Sequence, residues 1–286
     1  MLEPCAMNFD ISQVKHPKEK LYGSIMLVVG IAIWAVVLSA IVIALLSGSI
    51  WHGLVLLFYF GIFWLVSYWA RALTRAYMIG HFVMVGPDQF PHIHRMVEDG
   101  ARALGLREIP QTFVYNSSGV LNAMALRLVG RQRYIWLTSA LIDADNDEQV
   151  RFVIGHELGH HVAGHLDEPW SYLRFPGHLV PFLGAAYSRG RELTCDRIGA
   201  FVARDLQAAR TGLQMLACGS ARLNAQMNPD AFQSQEQMVP GIAGFFLKLV
   251  SHYPRHTQRV EAVTQWYRTQ PAAGQPLRPS FAPRPA

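Results

Sequence analysis

Two long runs without a charged residue constrain this chain more than any other feature. Leu21 to Leu46 is 26 residues with no Asp, Glu, Lys or Arg, and Ile50 to Ala70 is 21 more. About 20 apolar residues cross a bilayer as a helix. Buried helices of a soluble core carry a polar stripe at such lengths. A cleaved leader has a shorter apolar core and is not followed at once by a second run. The runs therefore predict a transmembrane hairpin with spans at about 21–46 and 50–70, closed by Ser47-Gly48-Ser49. Trp51, Tyr68 and Trp69 fall near the span ends, where interfacial aromatics are favoured. Composition agrees: 51% of residues are hydrophobic and 16% charged, against about 25% charged in soluble domains.

The flanks set the orientation. Lys15, Lys18 and Lys20 precede the first run, Arg71 and Arg75 follow the second, and the turn between has no Lys or Arg. The positive-inside rule puts both ends in the cytoplasm. The formal charge is +5 and the pI about 9.2, but the basic residues are scattered. A basic stripe for nucleic acid is missing, so no nucleic-acid partner is expected and the charge is assigned to the membrane flanks and surface. Cys5, Cys195 and Cys218 form neither a disulfide framework nor a Cys-x-x-Cys knuckle, which fits a reducing compartment.

The organisation read from these signals is a cytoplasmic segment at 1–20, the hairpin at 21–70, a body at 71–270, and a tail at 271–286. The tail holds five prolines and is expected to be disordered. Within the body, Pro91–Leu104 reads as a helix with Ile93, Met96, Val97 and Leu104 on one side. Thr112–Tyr115 reads as a strand. Val120–Leu128 and Tyr134–Thr138 read as a hairpin around Gly130-Arg131-Gln132. The acidic start Asp145-Asn146-Asp147-Glu148 predicts a helix over Asp147–Leu166, Arg189 to about Ala217 a second, and Val260–Tyr267 part of a last one. Trp170–Tyr187 is apolar but broken by Pro176 and Pro181, so a re-entrant, interfacial or packed loop is expected there rather than a span. Met238–Val250 is read as helical, lipid-adjacent or buried.

The helix over Asp147–Leu166 carries the chemistry. It contains His156-Glu157-Leu158-Gly159-His160. Residues four apart share a helix face, so both imidazoles can aim at one point and supply half of a tetrahedral zinc site. Glu157, beside the first histidine, is placed to take a proton from a water that zinc activates, and the combination suggests peptide-bond hydrolysis. The plain alternative is a polar surface helix. Phe152, Val153, Ile154, Leu158 and Val162 argue against it, because buried histidines beside a buried carboxylate need a partner.

A catalytic zinc keeps three protein ligands. A third histidine ten residues after the first would fall on Leu166. His165 is one short and Gly164 one late, so that pattern fails, and His161 and His165 are read as bystanders or outer-sphere residues. Glu192 is the better third ligand. It stands in Ser188-Arg189-Gly190-Arg191-Glu192-Leu193-Thr194-Cys195-Asp196, with Asp196 on the same helix face. Asp196 can accept the spare N–H of a ligand histidine and fix its tautomer. The alternative is a charged face paired with Arg189, Arg191 and Arg197.

These motifs together with the N-terminal hairpin resemble the HtpX-like membrane zinc metallopeptidases, gluzincins related to the CAAX prenyl proteases. The resemblance covers about Arg71 to Tyr267 plus the hairpin. It implies a mainly α fold with a small β-sheet (α+β), a gluzincin-type metallopeptidase domain behind a transmembrane hairpin. It implies one Zn²⁺ per chain on His156, His160 and Glu192, with Glu157 catalytic and Asp196 behind the ligands. Asn122-Ala123-Met124-Ala125 is similar to the family's Asn-Ala-Phe-Ala, an edge strand above the zinc on which a substrate peptide adds as a further strand. Cys195 stands where the family carries a small residue, either as a redox handle or, as favoured here, a small buried hydrophobe. The family's His-Pro with an arginine five residues after the proline becomes Tyr253-Pro254 and Arg259. His252 or Tyr253 is then the oxyanion donor, with His256 a weaker third. The stretch between the two motifs is too short for a second membrane hairpin.

The expected function is a membrane-anchored zinc endopeptidase of the bacterial inner membrane, its catalytic side in the cytoplasm. Protein or peptide substrates are implied, including surplus or misfolded membrane protein, with the lipid bilayer as the other partner and the oligomeric state open. Processing of prenylated peptides is the enzymatic alternative, and a catalytically idle adaptor with a structural metal is the other. The intact Glu157 speaks against the adaptor.

Overall fold

The computed structural model describes residues 9–47, 50–130, 132–167 and 169–270. The expected hairpin-closing residues Gly48 and Ser49, the turn residue Arg131, Cys5 and the tail 271–286 lie outside the described residues.

The chain opens with a short helix, α1 (Ile11–Val14), and then α2 (Pro17–Leu46). His16 caps α2, its Nδ1 accepting from Lys18 N (3.1 Å), and Pro17 occupies the first turn, where a missing N–H is harmless. Helix α3 (Ile50–His81) is 32 residues long, so it runs past the expected end at 70. Both helices have the length and composition to cross a membrane. Their outward apolar side chains, such as Val28, Val36, Phe58 and Val66, are exposed, as lipid-facing residues would be. Trp34 meets Phe60 edge to face at 6.2 Å between them.

A four-stranded sheet follows, built from β1 (Val83–Met84), β2 (Gln111–Tyr115), β3 (Ala123–Arg127) and β4 (Arg133–Thr138) in the order β1-β2-β4-β3. β3 and β4 form the expected antiparallel hairpin, β2 runs parallel to β4, and β1 pairs antiparallel with β2. The order leaves β3 as an edge. Helix α4 (Pro91–Ala103) buries Ile93, Met96 and Val97, as its spacing predicts. After β4 come α5 (Ser139–Ala144) and α6 (Asp147–Val162). Asn146 and Gln149 form a reciprocal capping box at the start of α6.

The segment 169–182 forms α7 (Trp170–Arg174) and a 3₁₀ turn over Phe175–Leu179. It packs on α2 and α3: Trp34 Nε1–H of α2 donates to Tyr172 O (2.9 Å), and Arg71 of α3 donates to the Tyr172 hydroxyl (2.9 Å). Helix α8 (Leu183–Ala203) starts six residues before the expected Arg189. The single helix expected from Arg189 to Ala217 is in fact two. Arg204 turns left-handed (φ 54°), and Asp205 then caps α9 (Leu206–Cys218) by accepting from Gln207 N and Ala208 N. The rest is α10 (Ala221–Asn224), α11 (Pro229–Ser234), α12 (Gly241–Val250) and α13 (His256–Arg268).

The core lies where α4, α6, α8, α9, α13 and the sheet meet, with Ile135, Leu137, Phe152, Ile154, Leu158, Ile198, Leu213 and Val260 almost fully buried. The crossing of α6 and α8 depends on small residues. A Cβ on Gly155 would fall 2.7 Å from Val202 Cβ and 3.0 Å from Gly199 Cα, and one on Gly199 would fall 2.7 Å from Phe152 O. The two backbones therefore approach closely, and the faces bearing His156 and His160 on α6 and Glu192 and Asp196 on α8 are drawn together.

Candidate metal centre

The α6–α8 crossing brings the sequence motifs into one site. His156 Nε2 lies 3.3 Å from Glu192 Oε2, and His160 Nε2 lies 3.7 Å from Glu192 Oε1. His156 Nδ1 is 3.0 Å from Asp196 Oδ1. Asp196 accepts two bonds from Arg259, on α13: Nε to Oδ2 at 2.9 Å and Nη2 to Oδ1 at 2.7 Å. The site is thus a short chain from Arg259 through Asp196 to His156, with Glu192 facing both Nε2 atoms.

The electrostatics follow from burial and pairing. Burial would raise the Asp196 carboxyl, but Arg259 and His156 hold it down to about 2. Glu192 behaves alike: burial raises it, and bonding to His156 with the charges of His156, His160 and Arg259 brings it to about 2. Burial would lower His156, yet the two carboxylates push it up to about 10. Burial lowers His160 well below the ordinary histidine value. Glu157 is pushed up to about 7 by burial, an effect that the His156 charge and a bond from the Ala125 backbone oppose.

This donor set fits a divalent cation. Two imidazole nitrogens and one ionised carboxylate converge in a buried wall, and Asp196 leaves His156 Nε2 free to point at them. Cys195 offers an alternative third donor. Its Sγ and one ring nitrogen from each of His156 and His160 all lie within 4.8 Å of one another. Burial, however, holds its thiol pKa well above the ordinary value, and Sγ sits 3.7 Å from His165 Nδ1, towards the Nδ1 side of His160. Glu192 is ionised and faces both Nε2 atoms, so it is the stronger donor.

The remaining histidines of α6 and its C-terminal turn have partners. His161 Nε2 meets Tyr134 O at 3.0 Å, and burial lowers its pKa to about 4. His165 Nδ1 lies 3.0 Å from His160 Nδ1, and its Nε2 lies 3.1 Å from Glu19 Oε1. Burial lowers His165 to about 4 as well. Glu19, on α2, is 2% exposed. Sequence reasoning missed it, since nothing local in the first turn of an anchor helix marks a residue of the site.

A cavity of about 590 Å³ opens over these groups, bounded by 121–125 on one side and by His156, Glu157, His160 and Glu192 on its floor. Asn122, Ala123, Met124 and Ala125 therefore form one rim. Asn122 N donates to Thr138 Oγ1 (3.1 Å), which holds the entry of β3. Tyr253 and His256 also border the cavity, whereas His252 is not among its lining residues. Tyr253 is exposed as a whole, and partial desolvation at the cavity rim together with the charges of Glu192 and Glu157 raises its phenol pKa.

Residues 87–176 match the family model described as Peptidase family M48. The match includes His156, Glu157 and His160 and ends before Glu192. A curated relative, the plastoglobule-localized metallopeptidase 48, chloroplastic, of Arabidopsis thaliana, is 27% identical over 215 residues, 67% of this chain and 61% of the relative. The chain thus spans about three-fifths of that relative's length. Among solved structures, the crystal structure of S. mikatae Ste24p aligns over 86% of this chain and 66% of that chain, at 16% identity and a TM-score of 0.49.

Proposed function

Because the chain carries a peptidase family M48 domain, we propose that it is a membrane-anchored zinc endopeptidase of protein substrates. Its catalytic face would lie on the cytoplasmic side of a bacterial inner membrane. The observation that carries this reading is the convergence of His156 Nε2, His160 Nε2 and the Glu192 carboxylate at the floor of a cavity bordered by an edge strand.

His156, His160 and Glu192 hold one Zn²⁺ per chain. Bound there, zinc supplies Lewis-acid polarisation of the scissile carbonyl and lowers the pKa of a water to about 7. Asp196 accepts the Nδ1–H of His156 and so keeps its Nε2 lone pair directed into the site. Arg259 fixes Asp196 in that role. Glu157 takes a proton from the attacking water onto its carboxylate and passes it to the leaving amine nitrogen. A carboxyl poised near neutrality can do both.

The backbone of Asn122–Ala125 orients the substrate. An edge strand has unpaired N–H and C=O groups, so an extended peptide can pair with it and lie across the floor. Tyr253 O–H donates to the developing oxyanion, and its raised pKa keeps that proton in place. His252 is the second option for this donor.

Substitution of Glu157 by Gln tests the reading in purified full-length protein. The variant is expected to retain one zinc per chain and to lose cleavage of an unfolded protein such as casein. Chelation should abolish wild-type cleavage and zinc should restore it. Casein cleavage retained by Glu157→Gln would overturn the assignment.

A further inference from the structure

Behind His160, on the side away from Glu192, lies a second chain of buried groups. His160 Nδ1 is 3.0 Å from His165 Nδ1, His165 Nε2 is 3.1 Å from Glu19 Oε1, and Glu19 is 3.0 Å from Lys15 Nζ. Two facing ring nitrogens can form a hydrogen bond only if one carries the proton and the other the lone pair. The arrangement therefore has two forms. In one, His160 Nδ1–H donates to His165, and His160 Nε2 keeps its lone pair towards Glu192. In the other, His165 donates, and His160 Nε2 carries the proton and cannot ligate.

Glu19 distinguishes the two. Glu19 Oε1 lies 3.1 Å from His165 Nε2 but off the direction of a ring N–H, so the contact is electrostatic rather than a formed hydrogen bond. The carboxylate charge favours a proton on Nε2 over a lone pair there, which leaves His165 Nδ1 as the acceptor for His160. In the reverse form, a carboxylate oxygen would face the Nε2 lone pair. Building on the zinc site proposed above, we infer that Glu19, on the first turn of the anchor helix, is a positioning residue that fixes the tautomer of ligand His160 through His165. Cys195 Sγ, at 3.7 Å, competes for His165 Nδ1 only as a longer, weaker donor.

The contact is built rather than incidental. A Cβ on Gly190 would fall 2.7 Å from Glu19 N and 2.8 Å from its Cα, so α8 carries glycine where the start of α2 crosses it. His16 N donates to Thr194 Oγ1 (2.9 Å), and Arg197 Nη1 donates to Val14 O (3.2 Å). The segment before the membrane span is thus clamped to α8 on both sides of Glu192. His156 has Asp196 behind it, and His160 has His165 and Glu19, so each histidine is oriented by its own carboxylate. The second of these comes from the anchor.

The experiment uses full-length protein in nanodiscs. Zinc affinity is measured by competition with a chelator for wild type, Glu19→Gln and Glu19→Leu, with thermal unfolding recorded alongside. A glutamine amide can either donate to or accept from His165, and leucine does neither, so neither variant dictates the tautomer. Loss of an outer-sphere partner weakens metal binding by about 10- to 100-fold, and that loss is expected in folded Glu19→Gln. Long-range ¹⁵N histidine spectra of the wild type give a second readout that requires no variant to fold. The inference expects His160 protonated at Nδ1 and His165 at Nε2. Unchanged affinity in a folded Glu19→Gln, or the reverse pattern of protonation, overturns the inference alone. A wild-type chain that binds no zinc overturns the metal site and the inference with it.

Discussion

Arg259 lays its guanidinium across both oxygens of Asp196, with Nε 2.9 Å from Oδ2 and Nη2 2.7 Å from Oδ1. Asp196 in turn holds His156 Nδ1 at 3.0 Å, and Asp196 and Arg259 are both buried. Removing one partner of a buried pair leaves the other charge uncompensated, at a cost of about 3–5 kcal/mol. Arg259→Met should destabilise by that order. Arg259→Lys should be intermediate, because an ammonium cannot form the two parallel bonds. Denaturant unfolding checks both, and a wild-type midpoint in Arg259→Met would contradict the pairing.

Gly190→Ala tests the seat of the anchor on α8. Its new Cβ would lie 2.7 Å from Glu19 N and 2.8 Å from Glu19 Cα, both backbone atoms that cannot swing aside. Overpacking of this kind costs about 1–3 kcal/mol. Displacement of Glu19 should also weaken zinc binding, which a more distant stability mutant of equal cost would not do. Paired unfolding and chelator-competition measurements separate the two effects.

The contrast between these residues explains what the sequence could disclose. The hairpin and His156-Glu157-x-x-His160 are local patterns, fixed by helix length and by a spacing of four. The same spacing pairs Glu192 with Asp196 on one helix face, and in the fold Glu192 Oε2 lies 3.3 Å from His156 Nε2 and Asp196 Oδ1 lies 3.0 Å from His156 Nδ1. Arg204 carries no sign that it will turn left-handed, since glycine is the ordinary residue there. The sequence across the break between α8 and α9 therefore reads as continuous helix. The α8 start at Leu183 is obscured by Pro176, which opens the 3₁₀ turn over Phe175–Leu179, and by Pro181, which follows that turn before α8 begins. Glu19 and His165 meet only through tertiary packing, and a single charged residue ahead of an apolar span reads as a membrane flank. Arg259 was visible as a spacing after Pro254, but its partner was not.

Asp145 gives the stability a pH dependence. Burial pushes its carboxyl from 3.8 up to about 7, and its Oδ1 has no hydrogen-bond partner among the described residues. Between about pH 4 and 7 the folded chain holds a proton here that the unfolded chain has released. Stability therefore falls as pH rises through this window. The favourable term is fully present below pH 4 and lost above about 7. Asp145→Asn removes this term and should stabilise the protein at pH 8 by on the order of 2 kcal/mol, allowing for partial exposure of the side chain. Unfolding series from pH 5 to 8 should converge at the acid end, and parallel curves would refute the assignment.

Tyr253 sits on a loop that Glu236 ties down. Glu236 accepts from Arg255 Nε (3.0 Å) and a second Arg255 nitrogen, from Thr257 Oγ1 (2.6 Å) and from Gln258 Nε2 (2.8 Å). The same carboxylate thus holds both the residue two after Tyr253 and the first turn of α13. Loss of one oxyanion donor lowers kcat by about 10²–10³-fold, so Tyr253→Phe should show that loss with KM and zinc content unchanged. His252→Ala should leave kcat near wild type, because His252 is not among the residues lining the cavity. Glu236→Ala keeps the phenol but frees its loop, and a smaller fall in kcat is expected, again at full zinc occupancy. Steady-state cleavage of a fluorogenic peptide by the three variants ranks them. A kcat loss in His252→Ala matching that predicted for Tyr253→Phe would transfer the oxyanion role to the histidine.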